Sequence, residues 1–380
     1  MATWSNPLHA LDWVWGHCQT NAGDGPPFKG GWIGWFSYDL GRLFERIPAL
    51  AIDDLGLPLF ELSWHDRAHI HDRVTGTWFE CTCESQLSVP KELTHDLATA
   101  DSSRLQRQTP CPPMSRRCYI DNVKRALEYI RAGDIFQVNL ARRISQPTDL
   151  SAALVHERLF SEAPSWMGAC LNYTDYALVS SSPELFLRVD RDPTTGQRWV
   201  RNRPIKGTRA RKSGLENELR YSPKDQAELN MIVDLQRNDL GRVCRIGSVV
   251  VEEPRTIEEH PTVFHGVSTV RGILNDGVGL AELLRATFPC GSVTGAPKVR
   301  AMQIIEELEP VRRGAYCGAI GFLSVDGAIQ LNVAIRTIVL VRGTAHVSVG
   351  AGIVAESDPA AEYEETCVKA SAMLRALNPA

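Results

Sequence analysis

The chain has 380 residues, 43% of them hydrophobic, and 41 Lys+Arg against 45 Asp+Glu leave a formal charge of −4. That is ample material for a core in one large or two ordinary domains, and it excludes wholesale disorder. Neither charge sign dominates, which argues against a general nucleic-acid binder or a membrane-surface protein, and no apolar run approaches the ~18 residues of a membrane span.

The first residues, MATWSNPLHALDWVWGHC, lack the basic start and continuous apolar stretch of a signal peptide. Seven of the nine tryptophans (Trp4, Trp13, Trp15, Trp32, Trp35, Trp64, Trp78) precede residue 80, whereas residues 85–117 hold no Phe, Trp or Tyr and include TADSSRLQRQTPCPPMSRR. This shift marks a boundary or surface linker at 85–117, between a β-rich N-terminal portion at 1–84 and a larger portion at 118–380. The ten cysteines are scattered, and the closest pair, Cys81 and Cys83, has no second pair or histidine at zinc spacing. They read as reduced thiols of a cytoplasmic protein.

Ser115 to Ala132 predicts a helix, with Tyr119, Val123, Leu127 and Ile130 at helical spacing and Gly133 able to close it in the left-handed conformation. IFQVNLARRI then alternates: Phe136, Val138 and Leu140 share one face, and Gln137 and Asn139 point to the other. YALVSSSPELFLRV, AIGFLSV, IQLNVAIRTIVLV and AHVSVGAG also read as strands. The stretches between them are too irregular for a strict βαβ repeat. The expected class is therefore α+β, with antiparallel sheets covered by helices.

Ser222-Pro223 and Asp358-Pro359 each pair a capping residue with proline at the first helical position. On the first helix Glu228 falls on the stripe of Ile232 and Leu235; on the second, Glu362, Glu365 and Lys369 share one face. A solvated surface carries such residues too, but two helices that each offer carboxylates also suit a hard-oxygen cation, magnesium first. Lys206-Gly207-Thr208, Gly291-Ser292-Val293-Thr294-Gly295 and Gly350-Ala351-Gly352 either present backbone N–H groups to an anion or are plain tight connections. Gly295-Ala296-Pro297-Lys298 has the wrong spacing, and no Ser or Thr after its lysine, for a nucleotide-binding loop. Lys206 is a nucleophile only if burial or a nearby cation lowers its pKa, and is otherwise a solvated lysine. His265, in TVFHGVSTV, suits a core histidine as well as a catalyst.

DIFQVNLARR, SSSPELFL, RPIKGTRAR, AELNMIVDLQRNDLGRV, HGVSTVRG, GSVTGAPKVRAMQIIEELEP, RRGAYCGAIGF, VAIRT and VGAGIVAESDPAAEYEETCVKA follow in order through most of 118–380. Together they resemble the chorismate-utilising enzyme family of anthranilate synthase large subunits, aminodeoxychorismate synthases, and isochorismate and salicylate synthases. GGWIGWFSYDLGRLFE is also similar to the N-terminal part of aminodeoxychorismate synthase component I. The resemblance implies two facing antiparallel β-sheets flanked by helices, with chorismate held between the sheets together with Mg²⁺. It makes Glu228 and Glu365 metal ligands and lets Glu362 line the same site, where the metal neutralises the ring carboxylate. Gly207, Thr208, Gly350, Ala351 and Gly352 match backbone donors to substrate carboxylates. Arg336 and Tyr316 match side chains gripping the enolpyruvyl end, where a planar guanidinium suits a carboxylate. Lys369 matches a substrate contact, and His265 and Ser292 match pocket positions of varied role. Glu184 matches the glutamate that exchanges a proton with the C4 hydroxyl, which must leave as water.

Two positions discriminate within the family. Members that add water resemble one another in a lysine base where this chain has Gln137, a neutral amide that cannot usefully deprotonate water. Anthranilate synthases typically read PIAGT where this chain, like aminodeoxychorismate synthases, reads Pro204-Ile205-Lys206-Gly207-Thr208. The resemblance thus implies amination of chorismate at C4 through Lys206 as covalent nucleophile, giving 4-amino-4-deoxychorismate toward 4-aminobenzoate and folate. Anthranilate synthase component I is the alternative, and a catalytically silent chorismate-binding subunit a third reading. No segment resembles a glutaminase, so ammonia is expected from a separate glutamine amidotransferase subunit or from free ammonium. Nor does a pyridoxal-dependent lyase region follow. The stretch before GGWIGW is too short for the N-terminal element of a tryptophan pocket, so tryptophan feedback is not expected. Cys290, in FPCGSVTG, stands where relatives often have glycine.

Overall fold

The computed structural model describes residues 6–18, 25–83 and 114–378, so the expected linker at 85–117 lies outside the described residues except for 114–117. The helices in chain order are α1 (Pro7–Gly16), α2 (Arg116–Arg131), α3 (Ala152–Glu162), α4 (Leu215–Arg220), α5 (Pro223–Gly241), α6 (Leu280–Thr287), α7 (Lys298–Leu308) and α8 (Pro359–Leu377). The first strands are β1 (Gly31–Phe36), β2 (Phe60–His65), β3 (Arg67–His71), β4 (Trp78–Thr82), β5 (Gln137–Pro147), β6 (Ala169–Asn172), β7 (Tyr176–Ser180) and β8 (Leu185–Arg191). They are followed by β9 (Arg198–Arg203), β10 (Ile205–Ala210), β11 (Val250–Glu259), β12 (Val263–Ile273), β13 (Gly295–Ala296), β14 (Ala319–Ser324), β15 (Ile329–Val333), β16 (Thr337–Val341) and β17 (Thr344–Ile353).

Nine strands form one antiparallel sheet in the order β10-β12-β9-β8-β15-β14-β1-β2, with β11 paired to β12; six form a second, β13-β5-β17-β16-β7-β6. Trp35 and Ile320 of the large sheet pack on Leu178 and Val339 of the small one, so the two sheets face each other. Behind the large sheet α1, α5 and α6 bring Leu11, Leu229 and Leu283 onto Phe186 and Val270. Behind the small sheet α2 and α7 bring Tyr119 and Ile305 onto Val138 and Ala351, and α3 and α8 bring Leu159 and Met373 onto Val347. This is the α+β architecture of two facing antiparallel sheets flanked by helices that the sequence led us to expect. β1 and β2 belong to the large sheet, because β1 pairs with β14 along its whole length. No helix among the described residues is long and apolar enough to cross a membrane.

Three local details differ from the sequence reading. YALVSSSPELFLRV is two strands in different sheets, β7 in the small one and β8 in the large one. Pro183 stands in the break, where it has no N–H to give to a ladder. IQLNVAIRTIVLV divides likewise into β15 and β16, and Arg336 in its break has a left-handed φ of 49°. The two crossings run side by side, tied by Ser181 N–H to Arg336 O at 3.0 Å and Val333 N–H to Glu184 O at 3.0 Å. The third detail is Phe136, which is 71% exposed rather than part of a core face. It precedes the strand and donates its N–H to Ala296 O.

Candidate active site

Strand alternation places small residues on the inter-sheet face of β17. Ala351 packs outward into the core containing Tyr119, so Gly350 and Gly352 face the cleft. A Cβ at Gly352 would lie 2.5 Å from Gln137 Nε2 and 3.6 Å from Lys206 Nζ; one at Gly350 would lie 2.9 Å from the Tyr316 hydroxyl and 3.1 Å from Asn139 Nδ2. Lys206, from the edge strand of the large sheet, therefore meets Gln137 and Gly352 of the small sheet across the cleft. Gly207 beside it has φ +83°, and a Cβ there would press on Leu219 and Asp225.

Four buried polar atoms around this space lack a hydrogen-bond partner: Gln137 Oε1 and Nε2, Asn139 Nδ2 and Glu184 Oε1. Leaving one such atom unpaired costs about 1–3 kcal/mol, so their convergence marks a place built for a polar ligand. Arg336 adds a guanidinium that forms no hydrogen bond or ion pair with any other described side chain; desolvation lowers its pKa. Its left-handed backbone, rare outside glycine, aims it from the crossing between sheets.

Burial dominates the electrostatics. It raises the Glu184 carboxyl to about 7, against smaller opposing effects of the Ser292 hydroxyl, Lys206, the Ile205 N–H and Lys369. It lowers Lys206, with help from the Lys369 cation and against Glu228, Glu184 and Glu365. His265 is pushed down to about 3 by burial, with Arg336 and His260 adding to the effect, and its Nδ1 lies 2.9 Å from Thr208 Oγ1. A neutral imidazole results, with Thr208 as its partner. Lys369 donates to Gly350 O at 2.9 Å and pairs with Glu365 at 2.7 Å.

The proline-led starts place the acidic residues as the sequence suggested. Ser222 caps α5 through Asp225 N–H, and Asp358 caps α8 through Ala360 and Ala361 N–H. Glu228 is partly buried, and its pKa is raised first by desolvation and also by Asp225 and Glu365. Glu365 is thus near enough to be felt by Glu228. Glu362 is buried and accepts from Ser357 Oγ at 2.6 Å, and desolvation first, with Glu365 adding, raises its pKa. Among the described residues no group of three or more His, Cys, Asp or Glu stands in an arrangement that could hold a metal. Glu228 and Glu365 are two carboxylates within electrostatic reach of each other, a donor set compatible with Mg²⁺, which commonly takes one or two protein carboxylates and completes its shell with water and substrate.

Of the residues singled out from the sequence, Lys206, Gln137, Gly350, Gly352 and Tyr316 meet at this cleft, Glu184, Glu228, Glu362 and Glu365 each lie within electrostatic reach of Lys206 or Lys369, and Ala351 packs away from it. Asn139 was not among them, although its place two residues after Gln137 already put it on the same strand face. Nor did the sequence reading find the amide of Gln236, which donates to Cys290 Sγ at 3.3 Å.

A family model described as chorismate binding enzyme matches residues 6–375. The chain is 42% identical to anthranilate synthase component 1 of Thermus thermophilus, over 94% of this chain and 79% of that one. It is 39% identical to aminodeoxychorismate synthase component 1 of Escherichia coli, over 92% and 78% respectively. Among solved structures, anthranilate synthase component I of Streptococcus pneumoniae matches with a TM-score of 0.82 at 30% identity, covering 99% of this chain and 87% of that one. A menaquinone-specific isochorismate synthase of Escherichia coli, 19% identical with a TM-score of 0.65 over 96% and 91%, shares the fold.

Proposed function

This chain belongs to the chorismate binding enzymes, and from that premise we propose that it aminates chorismate at C4, giving 4-amino-4-deoxychorismate. The observation that carries the choice is Lys206, whose amine is drawn out of solvent, lowered in pKa and held close to Gln137 and Gly352. A neutral amine at that place is a nucleophile; alanine there would leave only ammonia to attack.

Lys206 attacks C2 of the ring, the two ring double bonds shift by one carbon, and the C4–O bond breaks as Glu184 delivers its proton, so that water leaves. Ammonia then adds at C4, the double bonds shift back, and the C2–N bond breaks to release Lys206 as a neutral amine. The surplus proton on the new C4 nitrogen returns to the Glu184 carboxylate, which restores the acid. Gln137 Nε2 and the N–H groups of Gly350 to Gly352 and of Gly207 and Thr208 orient the substrate's carboxylates. Arg336 and the Tyr316 hydroxyl hold the enolpyruvyl end. Glu228 and Glu365 would hold Mg²⁺, which when bound would supply charge neutralisation for the ring carboxylate.

The relatives named component 1 support a partner component, which we assign as a glutamine amidotransferase that supplies the ammonia. Free thiols among the described cysteines support a reducing, cytoplasmic setting. The second reading, anthranilate synthase component I, is favoured by the 42% identity to a relative of that name. Product analysis with chorismate, Mg²⁺ and ammonium separates them. An aminated product that keeps its enolpyruvyl group supports the proposal, whereas fluorescent anthranilate with released pyruvate supports the second reading. Chorismate bound but unchanged by the folded protein would indicate a silent subunit.

A further inference from the structure

β5 turns Gln137, Asn139 and Ala141 toward the large sheet, and Ala141 joins that sheet's core while Val138 and Leu140 pack on the far side with Tyr119. Asn139 stands opposite Gly352 of β17, and Ala141 opposite Gly350. The two amides lean diagonally across this register, so that a Cβ at Gly352 would meet Gln137 Nε2 and one at Gly350 would meet Asn139 Nδ2. The Tyr316 hydroxyl reaches the same Gly350 position from the segment before β14. Asn139 is 9% exposed, and its Nδ2 has no hydrogen-bond partner among the described residues.

Both backbone groups of Asn139 point away from β17. Its N–H donates to Thr294 O at 2.8 Å, just before β13, and its carbonyl accepts from Arg313 Nη2 at 2.6 Å. Beyond β13, a side-chain pair takes the place of a neighbouring strand. Glu309 Oε1 accepts from Ala141 N–H at 2.8 Å, and Arg313 binds Glu309 through Nε at 2.9 Å and Nη2 at 2.6 Å. The Arg313 guanidinium also lies 5.8 Å from the centroid of the Tyr316 ring, so it braces Asn139 and packs beside Tyr316 at once. Asn139 Nδ2 is thereby held in place as a donor without an acceptor, which is costly to bury unless a ligand supplies one. An amide nitrogen only donates, and chorismate offers carboxylate oxygens to receive it. Two residues along β5 advance about 7 Å, from Gln137 beside Lys206 to Asn139 beside Tyr316. We propose that Asn139 is a further chorismate-binding residue, its Nδ2 donating to the enolpyruvyl carboxylate at the end of the cleft assigned to Tyr316 and Arg336. The inference rests on chorismate as the ligand and on that placement of its enolpyruvyl end, not on which ring carbon receives nitrogen.

The test measures binding of chorismate and of benzoate to the full chain by titration calorimetry, with Mg²⁺ and without ammonium, in the parent, N139A and N139D above neutral pH. Benzoate carries a ring carboxylate and lacks the enolpyruvyl group. N139A is expected to weaken chorismate about tenfold or more, as loss of a hydrogen bond to a charged group does, and to leave benzoate unchanged. N139D keeps the size of the amide but sets a carboxylate against a carboxylate, so it binds chorismate more weakly than N139A. An amide that only fills space gives the opposite order. Parental chorismate affinity in N139A, equal losses for chorismate and benzoate, or tighter chorismate binding by N139D than by N139A overturns the proposal. Neither backbone bond of Asn139 uses its side chain, so both remain available to the variants; should N139A still fail to fold, parental affinity in N139D overturns the proposal alone. With ammonium present, N139A raises KM while kcat stays near the parental value, because the contact is made alike before and during the reaction. Anthranilate from the parent overturns C4 amination and leaves the comparison of chorismate with benzoate to decide Asn139.

Discussion

Burial moves Lys206 and Glu184 toward their uncharged forms, an amine able to attack and an acid able to donate. Lys206→Ala restores the PIAGT pattern and is expected to lose most C4 amination, with chorismate binding largely kept and some anthranilate-type product formed by direct attack of ammonia. Intact-protein mass spectrometry under single turnover should find an adduct in the parent that is absent in Lys206→Ala. Amination of C4 at the parental rate in that variant would reduce Lys206 to a substrate contact. Glu184 makes a second prediction, in which the sign is fixed by its direction. Its folded pKa, about 7, lies above its ordinary 4.5, so the folded state binds the extra proton between those values. The stability this confers is fully present below 4.5 and is lost as pH rises through about 7, an effect on the order of 3 kcal/mol. Urea unfolding of parent and Glu184→Gln should therefore diverge across that window, the variant losing less stability as pH rises. Parallel curves would mean that the carboxyl is already ionised at pH 5.

At the scale of elements, the phase of two helices decides whether Glu228 and Glu365 can meet. Each helix begins where a cap and a proline fix it, and Asp358 satisfies both Ala360 N–H at 3.1 Å and Ala361 N–H at 2.8 Å. Asp358→Ala should cost about 1 kcal/mol in chemical denaturation. Glu365→Gln keeps the size, removes a charge and weakens hard-cation binding; activity should fall sharply and recover partly at high Mg²⁺, with the half-activating concentration raised. An unchanged Mg²⁺ requirement in that variant would remove Glu365 from the metal's ligands. These helix starts were legible in the sequence because capping chemistry is local. The sheet crossings were not: β7–β8 and β15–β16 each read as one long apolar run. Nothing in periodicity distinguishes a strand that continues from one that changes sheets at SSSP or AIR. Glu184 and Arg336 sit at those breaks, so the sequence could name them only by resemblance, and the geometry that places them came from tertiary pairing. Phe136 failed for a related reason, since alternation cannot say where a strand begins. The Cys290–Gln236 contact joins residues 54 apart and has no local signal at all.

Across the whole molecule, the cleft exists only because both sheets contribute to it. Lys206 and Glu184 come with the nine-stranded sheet, Gln137 and Gly350 to Gly352 with the six-stranded one, and Arg336 from a link between them. Of the N-terminal strands, β1 and β2 complete the large sheet beside β14, and β3 and β4 pair as a separate two-stranded sheet. In the proposed chemistry the cleft residues act on chorismate together with Glu228 of α5 and Glu365 of α8, and Mg²⁺ and ammonia are to be supplied from outside. Glutamine is a poor direct source, because its amide nitrogen is not nucleophilic until a glutaminase has released it, and no residue of the cleft is placed as a thiolate to do so. Cys290, the buried thiol near Glu184, is pushed up to about 11 by burial and is inert as a nucleophile near neutral pH. The purified chain with chorismate and Mg²⁺ should therefore turn over with ammonium salts and not with glutamine, and glutamine should become a substrate on addition of a separate amidotransferase subunit. The measurement is C4-aminated product by liquid chromatography with each nitrogen source, with glutamate release followed in the same samples. Glutamate and aminated product appearing together from glutamine and the purified chain alone, free of contaminating amidotransferase, would contradict the division of labour.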